Sequence, residues 1–324
     1  MKTISKKNIF KLLLCCIALI ILVTSLSYSL FIKLPPTHSD KNFYINDGES
    51  LTNVLNRLTD QTSTKKLLFN IFLKINAIDS FQAGEYELFN NLQENFIAFS
   101  KGDTKNNIFI IKEGTNLYEL QNQIEESGLI NDCHLLKCIN SEFTYKEGIL
   151  FPNTYFYKWN MKASSLLNKS HNTQISILDN LWMNKNSNNP LKTKYEALIL
   201  ASIIEKEAGN NKEKPQIASV FLKRIKLGMR LQADPTIIYG LLPNFDGDIK
   251  KSDILDKENL YNTYMISGLP PSPISVPSLT SIEAAINSAP GDYLFFVADT
   301  KYSHHFSKTY KEHVSKIEEL GLNK

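Results

Sequence analysis

Hydrophobic and polar positions divide the chain into three stretches of different character. The first is Leu12 to Ile32, a run of 21 residues without a charge, preceded by Lys2, Lys6, Lys7 and Lys11. A helix over that run spans roughly 30 Å, the thickness of a bilayer's hydrocarbon core. Lysines gathered on its N-terminal side predict an N-terminus held in the cytoplasm and a remainder that lies beyond the membrane. A cleaved signal peptide is the alternative, with Ser27 and Ser29 as small residues at cleavage spacing. The run is longer than a usual signal core, which favours an uncleaved anchor. Pro35 and Pro36 in "KLPPTHSDKN" then block helix continuation and mark a short linker.

In the second stretch the pattern changes to short alternating runs and repeats itself weakly. "INDGESLTNVL" starts at Ile45 and "IKEGTNLYELQ" at Ile111. Both read as strand, glycine turn, then helix, with Leu51, Val54 and Leu55 in one and Leu117 and Leu120 in the other on the apolar face. Gly48 and Gly114 suit turns that need a positive φ. "FQAGEYELF", Phe81 to Phe89, reads as a returning strand, so each unit is expected to be strand–helix–helix–strand. Such a unit is either a common α+β packing module or a glycan-binding module of the LysM type. "EGILFPNTYFYKW", Glu147 to Trp159, is rich in aromatics that suit a core or a sugar groove. A helix follows around Ser164 to Trp182, then the polar loop "NKNSNNPLKTK".

Composition adds mainly exclusions. The 324 residues carry a net charge of +3, and no basic stripe is evident, so nucleic-acid binding has little electrostatic support. Of four cysteines, Cys15 and Cys16 lie in the apolar run, where "LLLCC" lacks the small residues of a lipoprotein site. Cys133 and Cys138 fall in a predicted helix and would point about 140° apart there. A disulfide between them requires an irregular segment. No metal-ligand spacing occurs.

The third stretch opens on "ALILASIIEKEAG", Ala197 to Gly209, apolar almost all round yet closed by two glutamates. Leu198, Ala201 and Ser202 share the face of Glu205, whereas Glu207 points about 200° away, beside Leu200 and Ile203. Gly209 is expected as the C-terminal cap. Both carboxyls lie at the negative end of the helix dipole in apolar surroundings, and both effects push a Glu pKa upward. A carboxylic acid still protonated near neutral pH is what general acid catalysis needs. The competing reading pairs one glutamate with Lys206, Lys212 or a downstream arginine, and the residues alone do not say which. "PQIASVFLKRIKLG" is another helix, Pro215 in its first turn and Gly228 at its end; Lys223, Arg224 and Lys226 read as a solvated face. Asp234–Pro235 reads as an N-cap and first-turn pair.

Together "LASIIEKEAG", "ASVFLKRIKLGMRLQADPTIIYG", "YNTYMISGLPPSPIS" and "YLFFVAD…HHF" resemble the endolytic murein transglycosylase (YceG-like) family. The likeness is dense from about Tyr145 to His313 and extends weakly upstream. Ser272 and Ser278 stand where the family often has Gly, and Val314 where it often has Asn. The resemblance implies an α+β fold: an N-terminal cytoplasmic segment over 1–11, a transmembrane helix over 12–32, a LysM-like α+β region over 33–140, and a mixed α/β catalytic domain over 141–324. It implies that Glu205 is the catalytic acid, and that Gln232, Asp234, Tyr239, Asn262, Tyr264 and His304 form the substrate groove.

The implied reaction cleaves the β-1,4 bond between N-acetylmuramic acid and N-acetylglucosamine. One carboxyl acts first as acid and then as base, while the sugar's own C6 hydroxyl closes a 1,6-anhydro ring. No metal, cofactor or second carboxylate is required, unlike paired-carboxylate glycosidases. The implied partners are peptidoglycan glycan strands and the membrane, with peptidoglycan synthases as open candidates. The implied location is the cytoplasmic (inner) membrane, with the catalytic part extracytoplasmic. Two alternatives stand beside this reading. One is a lysozyme-like hydrolase with Asp234 or Asp246 as second carboxylate; the other is a non-enzymatic peptidoglycan-binding scaffold.

Overall fold

The computed structural model describes residues 6–60, 62–300 and 302–322; of the N-terminal lysines, Lys2 lies outside them. The chain divides into two compact units: residues 1–107 with 158–160, and residues 108–157 with 161–324. The division falls at Asn107/Ile108, not at 140/141. The second glycine-turn segment therefore belongs to the larger unit.

The smaller unit begins with α1 (Lys6–Ile32). Within it Phe10–Ile32, of mean hydropathy 2.4, is the one span among the described residues long and apolar enough to cross a membrane. Most of this span is exposed, but Phe31 is buried at its end, with its ring 6.4 Å from that of Phe96. The order then runs β1 (Asn42–Ile45), α2 (Leu51–Leu58), α3 (Ser63–Ile75), β2 (Gly84–Glu87) and α4 (Leu92–Lys101). β1 and β2 pair antiparallel with Phe43 opposite Tyr86. Alternation sends Phe43 and Ile45 inward, onto Phe69, Phe72, Phe96 and Phe99. Ser50 and Thr62 cap the two helices through their hydroxyls. Gly48 has φ 72°, the left-handed turn its sequence predicts.

The larger unit starts with the strand β3 (Asn107–Ile111) and α5 (Leu117–Glu125), joined through Gly114 at φ 76°. A single 3-10 turn, His134–Leu136, replaces the second helix expected here. Leu135 and Leu136 have positive φ, and in this irregular segment Cys133 and Cys138 form a disulfide across 5.0 Å between Cα atoms. The helix expected across these cysteines is thus absent, which is what lets them meet.

β4 (Asn153–Tyr157) pairs with β3. Then come α6 (Ala163–Met183), α7 (Lys194–Glu207), α8 (Lys214–Lys226), α9 (Asp234–Leu241), α10 (Lys251–Leu255) and α11 (Leu279–Asn287). An antiparallel hairpin, β5 (Phe295–Ala298) and β6 (His304–Ser307), precedes α12 (Tyr310–Glu319). α7 is the central element, packed on α6, α8, α9 and α11. Its residues Ala197 to Ile204 are all buried, so the helix reads apolar all round because it has no solvent face there. Thr193 caps it by accepting from the Glu196 N–H at 3.1 Å.

Candidate active site

The two glutamates at the end of α7 do point in different directions, as helical geometry predicts, and they meet opposite environments. On the first face, Ser202 accepts from the Ile274 N–H at 2.9 Å, placing that face against the segment leading into α11. Glu205 extends the contact. Its Oε2 accepts from the Ser278 N–H (2.9 Å), the Ser278 hydroxyl (2.5 Å), the Ser281 hydroxyl (2.6 Å) and Lys214 Nζ (3.1 Å). Lys214 is itself buried, and also donates to Ser278 and Thr280.

Burial alone would raise the pKa of Glu205. The Ser278 and Ser281 hydroxyls, the Ser278 N–H and the Lys214 charge outweigh it and hold the carboxyl below its ordinary value. The expectation of a protonated Glu205 does not hold, and the reason is tertiary. Although Glu205 ends its own helix, it sits at the N-terminus of α11, where the dipole and the free N–H groups favour an anion. Ser278 is one of its main partners.

Glu207 faces a cavity of about 510 Å³ lined by residues of α7, α8, α9, the hairpin and α12. Desolvation, then repulsion by Asp234, push its carboxyl up to about 8, against the opposing Arg224 charge. Among the described residues no hydrogen bond holds that carboxyl. The protonated acid expected at this helix end is therefore Glu207.

The cavity gathers some of the predicted groove residues. Gln232, Asp234, Tyr264 and His304 line it. Asp234 accepts from the Tyr264 hydroxyl at 2.6 Å. It stands in the first turn of α9 after an Ala233 N-cap, so its carboxylate serves Tyr264 in place of the expected cap. Gln232 has φ 52°, a left-handed conformation held by its N–H on the Thr263 carbonyl.

Tyr239 and Asn262 lie elsewhere. The Tyr239 ring packs edge-on against Tyr261, 4.7 Å away, and its hydroxyl bonds the buried Glu147. Asn262 is fully buried, its amide donating to the Asp253, Ile254 and Asp256 carbonyls and its oxygen accepting from the Tyr264 N–H. Asn262 thus shapes the loop that presents Tyr264. Asp246 is exposed and ion-paired with Lys250, and does not line the cavity.

Three residues take places that local pattern does not reveal. Arg224 is buried, not solvated. Its Nε donates to the Leu294 carbonyl (2.8 Å), its Nη1 to that of Leu231 (2.6 Å), and its guanidinium lies over Phe295. His313 of α12 stacks on Phe295 at 5.2 Å and lines the cavity. Its Nδ1 is buried without a partner among the described residues, and desolvation, Arg224 and His305 lower its pKa. Glu213, just before α8, accepts from the His304 N–H (2.9 Å) and meets His304 Nδ1 at 3.0 Å. Gly209 also differs from its expected role. Ala208 is the extended C-cap, and Gly209 lies against the Tyr302 backbone, where a Cβ would come within 2.9 Å.

Comparison with known proteins gives the family. The YceG-like family model matches residues 43–319. An endolytic murein transglycosylase of Bacillus subtilis (strain 168) is 35% identical over 167 residues, covering 52% of this chain and 46% of that protein. One from Streptococcus pneumoniae serotype 2 is 32% identical over 177 residues, covering 53% and 32%. The matches thus span less than half the length of these relatives. The crystal structure of a yceG-like protein from Listeria monocytogenes superposes with a TM-score of 0.55 at 26% identity, over 86% of this chain and 99% of that one. With the family match running from β1 to the end of α12, the chain belongs to the YceG-like family.

Proposed function

We propose that the chain is a membrane-anchored lytic transglycosylase that cleaves peptidoglycan glycan strands internally, with Glu207 as its general acid. The observation that carries this is a carboxyl pushed up to about 8 in a cavity shared with Gln232, Asp234, Tyr264 and His304. At neutral pH such a group is roughly nine-tenths protonated, so it has a proton to give. The relatives' activity supports the substrate class.

In the proposed step Glu207 protonates the oxygen linking N-acetylmuramic acid to N-acetylglucosamine. The bond from that oxygen to C1 breaks, the muramic C6 oxygen adds to C1, its hydroxyl proton is returned to the Glu207 carboxylate, and a 1,6-anhydro end results. Because the nucleophile belongs to the substrate, no second enzyme carboxylate is needed. The strand–helix–helix–strand order of β1, α2, α3 and β2 supports a LysM-like, glycan-holding role for the smaller unit. Lysines before the apolar helix and the Cys133–Cys138 disulfide both support an extracytoplasmic location for the catalytic unit.

The test is digestion of purified glycan strands by the detergent-solubilised full chain, with products weighed by mass spectrometry. The native chain should leave anhydro ends. Glu207→Gln should lower turnover by about 10²–10⁴-fold while the protein stays folded. An undiminished rate in that variant removes Glu207 from the role of acid. Reducing ends instead of anhydro ends would mean a hydrolase, with Asp234 as the second carboxylate. Binding without any cleavage would mean a scaffold.

A further inference from the structure

We infer that Glu213 is a positioning residue for this reaction: it holds His304 in the Nδ1–H form, so that Nε2 is free to accept the proton of the attacking sugar hydroxyl. The inference rests on the cleavage chemistry proposed for the Glu207 cavity.

The geometry is that of a two-point clamp. One carboxylate oxygen of Glu213 accepts from the His304 backbone N–H at 2.9 Å, and the other lies 3.0 Å from Nδ1. A carboxylate only accepts, so the proton between them sits on Nδ1. In the neutral ring Nε2 then carries none and is an acceptor. The two side chains are 12% and 15% exposed, so little water competes for the contact. The edge of the ring meets Phe296 at 5.4 Å and 87°, which sets its plane. Glu213 is anchored in turn by its own N–H on Asn210 Oδ1, and Asn210 also donates to the Tyr302 carbonyl at 2.6 Å. The clamp therefore ties the loop after α7 to the hairpin that carries His304, across 91 residues of sequence.

Its chemical consequence follows from timing. Glu207 becomes a base only after it has given up its proton. In the Nδ1–H tautomer His304, on the wall of the same cavity, can accept from the start, so the hydroxyl can be activated while the C1–oxygen bond is still breaking. The step balances. The C6 hydroxyl proton passes to Nε2, and the C6 oxygen pair forms the bond to C1. The pair of the broken bond stays on the leaving oxygen, which takes the Glu207 proton. Transfer of the imidazolium proton to the Glu207 carboxylate, through water, restores both groups. A hydrogen bond from Ser303 lowers the Asp299 pKa, and Asp299 faces His304 closely enough for a charge on the ring to lower it further; Glu207, Arg224, Asp234 and His313 share the cavity.

The experiment uses the solubilised full chain labelled with 15N-histidine, with His304→Gln to assign the signal. Wild type at neutral pH should show the Nδ1–H, Nε2-bare pattern, and Glu213→Gln should lose it. Kinetically, His304→Gly should lower kcat by about 10²-fold or more with KM within about threefold, and added imidazole should restore part of the rate. Glu213→Gln should lower kcat about tenfold or more by the same split. An Nε2–H pattern in the wild type overturns the inference without reference to any variant. So does full turnover in a folded His304→Gly protein, or a loss that imidazole does not restore. Glu207→Gln run in parallel separates the two readings. If it is inactive while His304→Gly is active, only the present inference falls; if it is fully active, the assignment of the acid falls first.

Discussion

Replacing Glu205 by Gln tests whether the first glutamate of the pair is an anchor and not the acid. In the native chain its Oε2 accepts three hydrogen bonds and the charge of Lys214, whose side chain is 3% exposed. An amide of the same shape keeps one acceptor but turns an NH2 toward donors, and leaves the Lys214 ammonium without its counter-charge. Removing one partner of a buried pair costs about 3–5 kcal/mol. The remaining Ser278 and Thr280 contacts of Lys214 put the expected loss near the low end, about 3 kcal/mol. In a unit of this size each kcal/mol moves Tm by roughly 2–4 °C, so thermal unfolding followed by circular dichroism should shift down by roughly 6–12 °C. Lys214→Met should lose a similar amount. The double variant should recover part of it, with a coupling energy of about 1–3 kcal/mol. Well below the transition, kcat on glycan strands should stay within about threefold of native. An unchanged Tm together with a turnover lowered by orders of magnitude would refute the reasoning and return the acid to Glu205.

Three further outcomes follow from the charges and the cross-link. As the proposed acid Glu207 works protonated, and with its pKa raised to about 8 kcat should fall about tenfold per pH unit above that pH, read from a pH–rate profile. The buried Glu147 carboxyl is pushed up to about 7 by desolvation, against hydrogen bonds from the Leu117 N–H and the Tyr239 hydroxyl. A raised folded pKa means the unfolded chain ionises first, so stability should fall by up to about 3 kcal/mol between pH 4.5 and 7 and then level off. Glu207 has the same sign, so the Glu147 contribution is the difference between native and Glu147→Gln denaturation midpoints across that range. Reducing Cys133–Cys138, or replacing both by Ser, should cost about 2 kcal/mol in chemical denaturation, the closure entropy of so short a loop.

Local pattern was enough for much of the architecture. The uncharged run before Pro35 and Pro36, the turns at Gly48 and Gly114, the buried helix over Ala197 to Ile204 and the opposite directions of its two glutamates all follow from periodicity and backbone preference. These are properties of residues within a few positions of each other, and they survive in the folded chain. What local pattern could not decide was the environment each side chain meets. Glu205 and Glu207 share one helix end and one sequence-level argument for a raised pKa. They part because the N-terminus of α11, with Ser278 and Ser281, arrives at one face, and a cavity walled by α8, α9, the hairpin and α12 lies at the other. Arg224 reads as solvated until the Leu294 and Leu231 carbonyls reach it. Tyr239 and Asn262, named in the sequence beside true cavity residues, turn into the core. Glu213 and His304 are 91 residues apart, and no spacing rule links them. Desolvation and hydrogen bonding at a carboxyl depend on which distant segments pack against it, and that is a property of the tertiary structure alone.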